Sequence, residues 1–186
     1  MARPDPILTL EPLLEAVREG LQADGWALSG LQKTTSYEFE GRWAGDSSRS
    51  AYLFFHAEGL PEWVSIDVFL DETSRGLKGN LALVIDGPEL SIVPDPEEVL
   101  VRLATVARMA LPRGYRTPLT LRYRFPKLSG DPAESDTEFR FKLYIPPTAL
   151  KAGHSAIVAL AESTAGAFRS ILGSRELAPL LAAEET

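Results

Sequence analysis

Two histidines, His56 and His154, and no cysteine are the whole stock of imidazole and thiol side chains in 186 residues. A histidine-based zinc site would need carboxylates to complete it, and neither H-x-x-x-H nor H-E-x-x-H spacing occurs. Without thiols there is no disulfide framework and no thiolate nucleophile. Gly153-His154-Ser155 begins like a nucleophile elbow, but Ile157 stands where the closing glycine belongs. That motif also needs a preceding strand, whereas Pro146-Pro147 and a helical pattern surround this one. His154 is therefore expected at an exposed helix start, with Ser155 non-catalytic. Asp131, Glu134 and Asp136 cluster in a polar loop without EF-hand spacing, so solvated carboxylates are the expected account. Asp67 and Asp71 flank the end of an apolar strand, where edge or turn roles suffice. Neither GxxxxGK[ST] nor GxGxxG is present to cradle phosphate. No catalytic residue, cofactor or metal ligand is expected, and the chain is read as non-enzymatic.

One electrostatic feature remains. Arg113, Arg116, Arg122, Arg124 and Lys127 fall in a stretch with no acidic residue. From residue 113 to 145 the balance is seven basic to four acidic, a net +3, which leaves −10 for the rest of a chain of net charge −7. Tyr115 and Tyr123 interleave with these charges, as on some single-strand nucleic-acid surfaces. Three readings follow, in order of preference: the wet face of a half-buried hairpin, a docking face for an acidic protein segment, and direct nucleic-acid binding. For the latter two, Arg122, Arg124, Arg140 and Lys142 are the candidate partner-binding residues. The overall acidity argues against generic binding to nucleic acid or anionic membrane.

The elements that must carry these residues follow from hydrophobic period. Leu10, Leu13, Leu14, Val17 and Leu21 predict a helix over Thr9–Asp24, ended by Gly25. Trp26–Leu31 reads as a short strand or the entry to one. Alternation then predicts strands over Thr35–Ala44, Ser50–His56, Trp63–Leu70 and Leu77–Asp86, with Val64, Ile66, Val68, Leu70, Leu81, Leu83 and Ile85 inward. Short connections favour an antiparallel meander. Pro118–Phe125 and Thr137–Ile145 form a second pair, a hairpin with a long loop. A last helix starts at about Thr148 or His154 and ends at Gly173; its alanines and Gly166 permit close approach to the sheet. The domain is expected to span 1–173. For the tail, 174–186, docking and looseness are both open, and looseness is expected.

Between the two strand groups lies Asp95–Leu111. Asp95 is placed to cap it, Pro96 fits the first helical position, and Glu97 and Glu98 complement the positive helix end. Apolar residues cover an arc of roughly 200° on its wheel, whereas a surface helix needs about 100°. Either the helix is wedged inside one domain or it forms a subunit interface; the second is expected, through Leu100, Val101, Ala104, Arg108 and Leu111. Solvating a Leu or Val permanently forgoes roughly 1.5–3 kcal/mol each.

Length fits one domain, and the 45% hydrophobic and 24% charged fractions are ordinary for a globular protein. Pro4, Asp5 and Pro6 interrupt the apolar run a signal peptide needs, and no stretch is long enough to span a membrane. A cytoplasmic protein is expected.

The order helix, three or four strands, helix, two strands, helix, over about Thr9 to Leu172, resembles the YbjN family and the type III secretion chaperones that share its fold. The chain departs by the additional strand near Leu77–Asp86 and by the tail after Gly173. The resemblance implies an α+β chaperone-like fold, a homodimer with the middle helix in the contact, an unidentified client protein along apolar surface and strand edges, and a link to stress responses.

Overall fold

The computed structural model describes residues 5–36, 48–86, 95–111, 120–123, 138–178 and 181, with backbone alone at 35–36, 48, 96 and 120–123. In chain order the elements are α1 (Leu10–Ala23), β1 (Trp26–Ser36), β2 (Ser48–Ala57), β3 (Val64–Thr73), β4 (Gly76–Asp86), α2 (Pro96–Ala110), β5 (Thr120–Tyr123), β6 (Glu138–Tyr144), α3 (Pro147–Ala152) and α4 (His154–Leu172). The strands make one six-stranded sheet in the order β1-β2-β3-β4-β6-β5, antiparallel at every pairing. This is the α+β antiparallel architecture expected from the sequence. The expected strand at Thr35–Ala44 lies almost wholly outside the described residues, as do Tyr37, Phe39 and Trp43. The strand entry at Trp26 instead runs unbroken to Ser36.

Period-2 alternation assigns one face of the sheet to the core. Leu53 and Phe55, then Ile66 and Val68, then Leu81, Leu83 and Ile85, then Phe139 and Phe141 are almost wholly shut from solvent. Against them lie α1 and α4, through Leu13, Val17 and Leu21 and through Ile157, Leu160 and Phe168. The expected inward residues of β3 and β4 are thus all buried. The close helix approach falls elsewhere than Gly166, where an added Cβ would meet open space. It falls at Gly20, where a Cβ would lie 2.5 Å from Val158 O and 2.6 Å from Ala161 Cβ. His154 Nε2 lies 2.7 Å from Glu19, and Arg169 Nη2 donates to Asp24 O at 2.7 Å. Contacts thus progress in the same sense along both helices.

The start of α1 is fixed by the sheet. Thr9 makes no side-chain cap; Glu72 Oε2 of β3 accepts from Leu10 N at 2.6 Å instead. Arg49 of β2 donates to Glu72 at 2.7 and 3.2 Å and to Glu11 at 2.5 and 3.0 Å. Those bonds hold the Glu11 and Glu72 carboxyls below their usual range.

Two expectations need correction, and a third, left open between Thr148 and His154, is decided for His154. Asp95 does not cap α2 with its side chain; it sits in the left-handed region at φ 47°, ψ 64°, which aspartate tolerates better than most residues, and its carbonyl accepts from Val99 N. The last helix is broken at Gly153, whose φ of 95° needs glycine and whose missing Cβ leaves room for Asp5 O. The described start of the tail, residues 174–178, is docked through Leu177, which is buried with the core, while Glu176 accepts from Arg102 of α2 at 3.1 Å.

Candidate functional site

α2 packs on α4 by a narrow row, Val99, Leu103, Ala107 and Leu111. The opposite side holds Val101, 66% exposed, and Met109, 82% exposed, with Thr105 between them. Of the five expected interface residues, Leu111 belongs to the chain's own core. Val101 and Arg108 face outward, and Leu100 and Ala104 are half-buried at the margin. Met109 belongs to the same outward row as Val101, although it was not among the expected interface residues. Arg102 is engaged by Glu98 and Glu176, whereas Glu97 and Arg108 have no ion-pair partner among the described residues.

The second surface is the face of the sheet turned away from α1 and α4. Register aligns Tyr52, Phe69, Asn80 and Tyr144 in one row across β2, β3, β4 and β6. The next row holds Phe54, Asp67, Ala82, Lys142 and Thr120. Tyr52, Phe54 and Tyr144 are each more than a third exposed. Tyr52 and Phe69 meet at a centroid distance of 4.8 Å with planes tilted by 40°, a favourable aromatic geometry. Phe54 reaches sideways over β1, where an added Cβ at Gly30 would lie 3.2 Å from its ring. Four aromatic rings thus line an otherwise polar face.

Charge on this face is mostly satisfied from within. Arg140 Nε donates to Glu138 at 2.9 Å, and its Nη2 lies 3.6 Å from Asp67 Oδ2. Arg140 is opposite Val84, and Asp67 is opposite Ala82, so the guanidinium must cross β4 to make the pair. That crossing explains why the short Ala82 and Val84 are buried on a face without helices. Burial pushes the Asp67 carboxyl above its usual range, against the Ser65 hydroxyl and Arg140, which pull it down. Lys142 stands over the Tyr144 ring at 5.8 Å, a cation–π contact. Asp71 is buried, bonded to Ser50 Oγ at 2.8 Å and 3.4 Å from Lys78. Of the four expected partner-binding cations, Arg140 is internally paired and Lys142 has no carboxylate partner among the described residues. Arg122 is opposite Arg140 by register, and Arg124 lies outside the described residues.

One constellation was not legible beforehand. The β1–β2 register shifts between Leu28 and Gly30, which bulges Ser29 outward. Ser29 Oγ lies 2.6 Å from His56 Nδ1 and 3.0 Å from Phe54 O; His56 Nε2 lies 3.3 Å from Glu62 O. The imidazole is oriented by a neutral carbonyl rather than by a carboxylate, so its geometry serves to tie the bulge to β2. His154 sits at an exposed helix start, as expected, and the neighbouring Ser155 is exposed. The 131–136 carboxylates lie outside the described residues. Among the described residues no group of three His, Asp or Glu could hold a metal ion, and no helix is long and apolar enough to cross a membrane. No family model matches the chain, and neither a curated protein nor a solved structure matches it.

Proposed function

We propose that this protein is a non-enzymatic, chaperone-like homodimer that docks a partner protein. The observation that carries the reading is the outward row of α2, where Val101 and Met109 stand in water on the side opposite the core. Covering such residues is worth roughly 1.5–3 kcal/mol each. The row is complementary to itself. Around a two-fold axis through Thr105, two antiparallel copies of α2 set Val101 of one subunit against Met109 of the other. They also bring the acidic first turn, with Glu97, beside the basic last turn, with Arg108. The aromatic rows of the open sheet face are the surface for the client segment, with Tyr52, Phe54 and Tyr144 as anchors. The YbjN-like resemblance frames this as a cytoplasmic protein acting in a stress response. Light scattering of the full chain at micromolar concentration tests the pairing. A dimer mass that Val101→Glu converts to monomer, with an unchanged circular dichroism spectrum, is expected; a monomer mass for the parent chain would sink it.

A second reading has an observation of its own. The same aromatic face carries Lys142, with no carboxylate partner among the described residues, and, by register, Arg122, an arrangement compatible with stacking bases beside phosphates. It predicts binding of a labelled single-stranded oligonucleotide that weakens steeply with salt and with Lys142→Ala. No mobility shift at low salt removes it.

A further inference from the structure

The rings and the cations of the open sheet face stand on different strands. Tyr52, Phe54 and Phe69 belong to β2 and β3, whereas Arg140 and Lys142 belong to β6 and Arg122, by register, to β5. Between them runs β4, which brings only uncharged residues to the same rows, Asn80, Ala82 and Val84. Across these rows three cations stand against one carboxylate, Asp67. Asp67 and Glu138 both engage Arg140, and Lys142 keeps no carboxylate partner among the described residues. The surrounding stretch, 113–145, carries a net +3 in a chain of −7. Lys142 is also half-buried beside the Tyr144 ring, so a carboxylate brought to it gains more than it would in open water.

Arg140 crosses β4 at the Ala82 and Val84 rows to reach Asp67, which leaves the Asn80 row as the way over that strand. From β2 to β6 is three strand spacings, about 14 Å, which an extended chain covers in about four residues. A segment with a large apolar side chain and acidic residues about four positions apart therefore meets the rings with the first and the cations with the second.

Resting on the docking role proposed for this face, we infer that the client segment is acidic: an extended stretch whose apolar anchor packs on Tyr52 and Phe54 and whose carboxylates pair at Lys142 and Arg122. A nucleic-acid strand would also answer to cations, but its phosphates recur at every nucleotide, whereas the cations here are confined to one side of the face.

The test is fluorescence anisotropy of a rhodamine-labelled peptide, Gly-Trp-Ser-Ser-Ser-Glu-Glu-Gly, titrated with the full chain at about 0.1 M salt. Its twin with glutamine for both glutamates should bind about fivefold more weakly, the scale of a partly exposed ion pair or two. Lys142→Met, with an unchanged circular dichroism spectrum, should narrow that gap by weakening the glutamate peptide alone, and Arg122→Gln should act the same way. Tyr52→Ala should weaken both peptides alike. Equal binding of the two peptides, or an undiminished preference for glutamate in both charge variants, overturns the inference and leaves protein docking on this face standing. Failure of both peptides to bind removes the docking role of the face along with it. A short labelled oligothymidine that binds more tightly than the glutamate peptide assigns the cations to nucleic acid and likewise overturns the inference.

Discussion

The two faces of the sheet are built from alternate residues of the same strands, yet they obey different rules. On the covered face, Ile66 and Phe141 are large, apolar and fully buried against helices. On the open face, Asp67 and Arg140, their chain neighbours, bury themselves partly against each other across β4. The first face is held by volume, the second by side chains that cross between strands and by the Phe54 ring set against Gly30. A surface of the second kind can be altered without unfolding the chain, which is what a binding face requires.

Substitutions sharpen this contrast in order of size. Phe141→Ala should cost about 3–5 kcal/mol in urea unfolding, because it leaves a cavity in the covered face; a cost under about 1 kcal/mol would mean that this layer is loosely packed. Gly20→Val should cost about 1–3 kcal/mol or more, since its Cβ meets the Val158 carbonyl, which belongs to the backbone and yields little. Acid unfolding separates the two faces by sign. Arg49 lowers the folded-state pKa of Glu11 and Glu72, so their contribution is present above about pH 4.3 and lost as pH falls through the depressed values. Arg49→Met should flatten that acid limb. Asp67 is opposite: burial raises its folded-state pKa, so protonation favours the fold and stability is gained as pH falls through the raised value toward the ordinary one, about 3.9. Asp67→Asn should remove that gain, seen as a steeper net loss of stability on acidification. Smallest of all, Phe54→Ala on the open face should change stability by about 1 kcal/mol or less while weakening client capture; a loss like that of Phe141→Ala would place Phe54 in the core.

The alternation of Val64 to Leu70 and of Leu81 to Ile85 named the buried face correctly, because a period of two has only two choices and one is polar. The same alternation in β6 buries Phe139 and Phe141. What alternation does not encode is which strand edge accepts the hairpin, so the insertion of β6 between β4 and β5 could not be read. Nor could the internal pairing of Arg140, which depends on a neighbour two strands away. On α2 the boundaries were clear from Pro96 and the acidic first turn. Its outward row was misjudged at Leu111, because one wheel cannot tell which part of a wide apolar arc the core will use.

The strand order also constrains how the chain can assemble. β1 to β4 pair with sequence neighbours, whereas β4 pairs next with β6, joining Asn80 to Tyr144. A chain emerging from the ribosome can close its meander early, but the far edge of β4 stays bare until residue 144 has been made. During that interval Leu81, Leu83 and Ile85 present an apolar, unpaired edge, the kind that recruits other chains. The long wait for β6, more than any residue of the finished fold, sets the period in which this protein is most exposed to aggregation.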